Sequence, residues 1–310
     1  MSALGQDLTD YLQLRRSLGH ELAEARWLLP GFVVYLDALG ASTVTTEAAL
    51  AWAQQSSAGK VTSVGSRRLM AARGFARYLA GIYPDTEIPP FGLMPYGRRW
   101  RRPFIYSTAD IEALMGQARL SITPPLRAAT YETLIGLLAA SGLRIGEAIK
   151  LDRSDVDWSE GVLLIRESKF GKSRLVPLHG TTMQALARHA ELRDELESRP
   201  KEPSFFVSRT HKRLCYAVVY QTFRQLVDAA GIANGAPSAP RLHDLRHSFA
   251  VRTLLSWYRA GEDVQAKLPS LSTYLGHREP ASTYWYLSAA PELLALAAAR
   301  QGMDWEAVRS

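Results

Sequence analysis

Apolar residues recur every three or four positions through most of the first eighty residues, the spacing of helices that bury one face. Leu8, Tyr11, Leu12 and Leu14 predict a helix over 7–18. Leu22, Ala25, Leu28, Val33 and Leu36 predict a second over 21–39, with Pro30 and Gly31 as a kink or break inside it, because proline lacks the N–H that the helix needs. Thr45 or Thr46 supplies a side-chain oxygen to cap a third helix over 48–54. A fourth, over 63–82, gathers Leu69, Ala72, Phe75, Ala76 and Leu79 on one face and leaves Arg67, Arg68, Arg73 and Arg77 mostly off it.

Between 84 and 103 the pattern stops. Pro84, Pro89, Pro90, Pro95 and Pro103 remove backbone donors and favour extended chain, and Arg98, Arg99, Arg101 and Arg102 flank Trp100. This stretch reads as a linker whose arginines could follow a phosphate backbone, between a helical domain over 1–83 and a second domain over 104–310. In the second domain Ser107 and Asp110 form a capping-box start. A long apolar helix over 126–140 follows, with Gly142 as its left-handed stop and Arg144 where the next helix begins. The β-branched content of 156–158, 162–167 and 174–178 predicts three short strands, the last two joined through the turn at 169–172. Helices resume over 182–196 and 216–230 and again from His243, and Pro291 opens a final one reaching Arg300. The fold class is therefore mainly α with a small antiparallel β-sheet, in two domains.

Composition changes this picture little. Of 310 residues, 47% are apolar and 22% charged, as in ordinary globular proteins. The formal net charge is +7, which favours a polyanionic partner. The first 102 residues hold 12 of the 37 basic and 8 of the 30 acidic side chains, so the smaller piece is the more basic per residue, as in a two-module clamp around one polyanion. One cysteine, Cys215, excludes an internal disulfide and a cysteine-rich metal site; its apolar neighbours suggest a small core residue. With no leader peptide or membrane-spanning run read, a reducing cytoplasm is the expected compartment.

The chemistry is carried by five scattered residues. Arg144 sits in Ala-Ser-Gly-Leu-Arg-Ile-Gly-Glu-Ala, and His243 and Arg246 in Leu-His-Asp-Leu-Arg-His-Ser-Phe-Ala. His277 closes Leu-Gly-His, and Tyr286 follows nine residues later. In that order, from Leu137 to Tyr286, the chain closely resembles the tyrosine site-specific recombinases of the phage integrase family; the helical N-terminal piece is similar to their core-binding domain in position and character.

The resemblance implies that Tyr286 attacks a scissile phosphate, leaving a 3′-phosphotyrosine and a 5′-hydroxyl. It implies that Arg144 and Arg246 hold the non-bridging oxygens, that His277 donates a further hydrogen bond, and that His243 helps take the phenolic proton. Lys169, with Lys172 as its rival, matches the hairpin lysine that protonates the leaving oxygen. The resemblance also implies four protomers on two duplexes and no cofactor. The chemistry is reasonable on its own terms. A phenol with pKa near 10 is only about 0.1% ionised at neutral pH and needs a base or a strong positive field. Guanidinium forks fit two phosphate oxygens and stay charged at any working pH.

Tyr284 is the rival nucleophile; positions two apart on a helix point about 200° from one another, and Thr283 and the spacing from Leu-Gly-His favour Tyr286. Glu147, one turn after Arg144, is placed to orient an arginine, whereas His247 reads as structural. Arg67, Arg68, Arg98, Arg99, Arg101, Arg102, Lys172 and Arg174 are the candidate DNA contacts. The interval from Arg246 to His277 is longer than in compact relatives, with 259–263 as a loop, and resembles recombinases of transposons and plasmids. Two other functions fit parts of the pattern: a type IB topoisomerase, and a DNA-binding protein with vestigial catalytic residues.

Overall fold

The computed structural model describes residues 2–20, 22–55, 63–94, 102–166, 173–196, 203–232 and 238–277, with positions 283 and 286. The chain divides into two compact units, Met1–Trp100 and Arg101–Ser310.

The first unit holds α1 (Ala3–Ser17), α2 (Ala23–Ala38), α3 (Thr46–Gln54) and α4 (Ser63–Leu79). Ser2 caps α1, its Oγ accepting from the Gly5 N–H at 3.1 Å, and Thr45 caps α3 in the same way through Ala48. The apolar face expected of α4 is buried from Leu69 to Leu79, against Leu29, Phe32, Leu36 and Trp52. Of the kink or break expected at Pro30 and Gly31, no break occurs: the helix continues through both. Proline removes one backbone bond there, while Leu28, Leu29, Phe32, Val33 and Leu36 on either side bury a continuous stripe, and the burial outweighs the loss.

The arginines of α4 have local partners. Arg73 is buried, not solvated, and donates to the carbonyls of Pro89 and Pro90, both at 2.6 Å. It therefore ties the first part of the extended stretch to the helical unit. Arg68 lies over the Trp52 ring and donates to the Trp52 carbonyl, and Arg67 forms an exposed ion pair with Glu24.

In the second unit Ser107 and Asp110 form a reciprocal capping box at the start of α5 (Thr108–Ser121). The long apolar helix α6 (Pro125–Ser141) ends at Gly142 with φ +61°, and α7 (Ile145–Lys150) begins directly after Arg144. A Cβ at Gly142 would lie 2.5 Å from Phe249, so both the backbone conformation and the packing demand glycine there. Strands β1 (Val156–Asp157), β2 (Val162–Ile165) and β3 (Arg174–Pro177) form one antiparallel sheet in that order, pairing Leu163 with Val176 and Ile165 with Arg174. Then come α8 (Gly180–Leu196), α9 (Tyr216–Ala229) and α10 (Leu242–Arg259). Cys215, expected in the core, is exposed; it stands at the N-cap of α9, where the chain turns outward before Val219 and Phe223 bury the helix. A helix absent from the sequence reading, α11 (Val264–Leu275), occupies the interval before His277.

Against α6, His189 of α8 is 2% exposed, with Thr130 Oγ1 at 3.2 Å from its Nε2 and the rings of Phe205 and Phe206 alongside. Burial, and then the Arg193 charge, lower its pKa to about 4. The unfolded chain therefore binds a proton near pH 6.5 that the folded chain refuses until about pH 4, so stability is fully present above that range and falls as pH drops through it. The share of that loss due to His189 is roughly 3 kcal/mol between pH 7 and pH 4, read as a falling urea midpoint. His189→Gln should reduce that slope; equal slopes for the parent chain and the variant between pH 7 and 4 would contradict it.

Candidate active site

The site is built on helix ends. The last carbonyls of a helix have no partner within it and carry the negative end of its dipole, so they suit guanidinium groups. At the C-terminus of α11 three consecutive carbonyls each accept from a different arginine. Tyr274 O receives Arg174 Nε at 2.8 Å, Leu275 O receives Arg246 Nη2 at 2.7 Å, and Gly276 O receives Arg144 Nη2 at 2.9 Å. Gly276 adopts φ +69°, the left-handed turn that ends the helix and leads to His277. Arg246 also donates from Nη1 to Gly142 O at 2.8 Å, so it joins the ends of α6 and α11.

Glu147 completes the cluster. Arg144 donates to it from Nη1 at 2.7 Å and from its backbone N–H at 2.9 Å, and Arg174 grips both carboxylate oxygens at 3.0 and 2.9 Å. Burial pushes this carboxyl upward, but the hydrogen bonds and charges of Arg174 and Arg144 prevail and hold it down at about 2. Arg174, a candidate for a phosphate contact or a local ion pair, takes the local pair with Glu147, with 11% of its side chain exposed. Arg246 is 1% exposed; burial lowers its pKa to about 10, which leaves it charged at neutral pH.

Tyr286 is buried at 2% exposure, its ring packed with Val251, Leu254 and Leu255 of α10 and Leu268, Leu271 and Leu275 of α11. Its hydroxyl is hydrogen-bonded by the Arg246 side chain. The His277 ring stacks on it, centroids 5.9 Å apart, and its Nδ1 lies 2.8 Å from the hydroxyl of Thr283, itself buried. His247, set apart by the sequence reading, presses edge-on against both Tyr286 at 5.4 Å and His243 at 4.7 Å. The available signal was its spacing: His243 and His247 lie four apart on α10, hence on one face.

All three histidines have depressed pKa values. For His277 burial acts first and then the charges of Arg246 and Arg144, bringing it to about 4; for His247, burial and then His243 and Arg241 bring it to about 3. His243 opens to solvent, yet its pKa too is lowered, first by the protein packed around it and then by Arg246, Arg144 and Arg241. For a ring in contact with water, the fixed charges are the stronger reason. The three rings are therefore neutral at pH 7, able to accept or donate one proton each. Among the described residues no group of three His, Cys, Asp or Glu side chains could jointly hold a metal ion.

Arg144, Glu147, His243, Arg246, His277 and Tyr286 thus converge. Lys169, Lys172, Tyr284, Arg98, Arg99, Arg101 and the expected C-terminal helix lie outside the described residues; Arg102 is exposed. Among described residues no helix is long and apolar enough to cross a membrane.

The phage integrase family model matches residues 107–292. A Sinorhizobium fredii protein named integrase/recombinase y4rB is 42% identical over 315 residues, covering 99% of each chain. Two solved structures share the fold. The Tn1549 transposon integrase in complex with transposon right end DNA aligns with a TM-score of 0.63 at 17% identity, over 90% of this chain and 94% of its own. The XerH site-specific recombinase bound to palindromic difH substrate aligns with a TM-score of 0.62 at 18% identity, over 82% and 72%. With arginines, histidines and a tyrosine gathered at the helix ends, and with that match in sequence along its whole length, the chain belongs to the phage integrase family of tyrosine recombinases.

Proposed function

We propose that this recombinase breaks and rejoins duplex DNA with Tyr286 as nucleophile. The phenolic oxygen attacks the scissile phosphorus as His243, held neutral by the surrounding cations, takes its proton. The bond from phosphorus to the 5′-oxygen breaks, and Lys169 gives that oxygen a proton. The products are a 3′-phosphotyrosine and a 5′-hydroxyl, and the reverse sequence reseals a strand without an external energy source. Arg144 and Arg246 hold the non-bridging oxygens while negative charge builds on phosphorus. The observation that carries this reading is the buried Tyr286 ring with the His277 ring stacked on it, beside the carbonyls of Leu275 and Gly276 that hold Arg246 and Arg144.

Duplexes selected from a random-sequence library by binding to the chain, then nicked beside the scissile position, provide the test. The expected product is a covalent protein–DNA band that survives denaturant; its absence on every tightly bound duplex would overturn the proposal. We further read a mobile element as the setting and four protomers on two paired sites as the working assembly. The transposon-end DNA bound by the Tn1549 integrase favours that setting. Recombination between two selected sites on one plasmid, without general relaxation of supercoils, separates this reading from a topoisomerase.

For His277 to donate to phosphate from Nε2, its Nδ1 must accept from Thr283. Thr283→Val keeps the shape and removes that donor, and should slow cleavage roughly 10- to 100-fold, as loss of an outer partner does for metal-bound histidines. Thr283→Ser should retain most of the rate; equal rates for the valine and serine variants in single-turnover cleavage would count against the tautomer assignment.

A further inference from the structure

We propose that Arg174 is a positioning residue that ties the β2–β3 hairpin to the phosphate-binding arginine, setting the proton donor and the charge clamp in register through one buried carboxylate. The inference rests on Lys169 being the acid of the proposed mechanism.

Arg174 is the first residue of β3 and pairs with Ile165, the last of β2, so it stands at the base of the hairpin that carries Lys169. Its guanidinium reaches out of the sheet in two directions. Nη1 and Nη2 bind the two oxygens of Glu147, the same carboxylate that holds Arg144. Nε binds the carbonyl of Tyr274, next in line to those that hold Arg246 and Arg144. A Cβ at Gly276 would lie 2.8–2.9 Å from this guanidinium, so the absence of a side chain at the turn before His277 gives Arg174 its space. One planar group thus links the hairpin stem, the start of α7 and the end of α11.

The other stem differs. Arg166, just beyond β2, pairs with Asp155 at 2.8 Å and with Asp152, and its side chain is 48% exposed. Those aspartates pair with Arg166 and Arg213, whereas Glu147 bonds Arg144 twice. With Nε on the Tyr274 carbonyl and both Nη on the Glu147 carboxylate, the fork of Arg174 is turned toward the protein.

The consequence falls on one chemical step. As the bond to the 5′-oxygen breaks, its electron pair goes to that oxygen, which needs the Lys169 proton. If the strut is lost, the acid is misplaced while the nucleophile and Arg246 stay where they are. A substrate with sulfur in place of the bridging 5′-oxygen leaves as a thiolate and needs no proton.

The full chain, Arg174→Gln and Lys169→Ala are compared in single-turnover cleavage of the selected half-site in ordinary and 5′-phosphorothiolate form. The ratio of sulfur to oxygen rates is internal to each preparation and independent of how much of it is folded. We expect Arg174→Gln to lose about 10- to 100-fold on the oxygen substrate and to raise the ratio at least tenfold, with Lys169→Ala raising it further. A raised ratio for Lys169→Ala with an unchanged one for Arg174→Gln overturns the strut and leaves the acid standing. An unchanged ratio for Lys169→Ala overturns the acid, and the strut with it. If Arg174→Gln yields no folded protein, Arg174→Lys, which keeps a charge but cannot grip Glu147 and the Tyr274 carbonyl together, is read by the same ratio.

Discussion

Tyr286→Phe should give no covalent adduct on a nicked half-site that the parent chain converts to product, while binding the same duplex within about threefold. The ring of Tyr286 is packed among leucines of α10 and α11, and phenylalanine fills that space without change. What is lost is the oxygen that forms the new bond to phosphorus, and one hydrogen bond with Arg246, worth about 1 kcal/mol of stability. A cooperative melt close to that of the parent would accompany the loss of reaction. Tyr284→Phe should still form the adduct. The opposite pattern, with Tyr284→Phe inert and Tyr286→Phe active, would move the nucleophile by two positions and reject the reading of the site.

Substitution at Arg246 should be nearly as severe, for two separable reasons. Arg246→Lys keeps a positive charge but cannot span Gly142 O and Leu275 O while presenting a fork to phosphate. By analogy with oxyanion donors, cleavage should fall roughly 100- to 1000-fold, measured as single-turnover adduct formation. Arg246→Ala adds a structural penalty: it leaves two buried helix-end carbonyls without their donor and opens a cavity, at a cost of about 2–5 kcal/mol. The melting temperature should therefore separate the two variants, with alanine well below lysine. A lysine variant that cleaves at the parental rate would show that charge alone suffices and that the planar fork has no special part.

Much of the helical frame is legible in the linear pattern because each helix advertises one buried face. Leu69 to Leu79 on α4 and the capping box at Ser107 are local features whose physics needs no distant partner. The element that does most for the site is the one not read. Val264, Leu268, Leu271 and Leu275 are spaced by four, three and four, and Asp263 caps them through Ala266, yet Pro269 in their midst argues against a helix. Packing against Val251 and Leu254 prevails over that local objection. Pro30 in α2 teaches the same lesson in the first unit. Cys215 errs the other way, since apolar neighbours in sequence need not share a face with it.

From the sequence alone came the identities of the proposed reacting groups, because cations and a phenol bear their chemistry wherever they lie, and the order of their motifs. It also placed a left-handed stop at Gly142, whereas the matching stop at Gly276 emerged only with the helix it ends. Only the tertiary structure decided what those cations do with their remaining hydrogen bonds. It lined up the carbonyls of Tyr274, Leu275 and Gly276 to receive three arginines from distant parts of the chain, and it chose Glu147 as the partner of Arg174. The reason is physical: a helix end offers unpaired acceptors and a negative field at one point in space, and which guanidinium groups arrive there depends on how the helices pack.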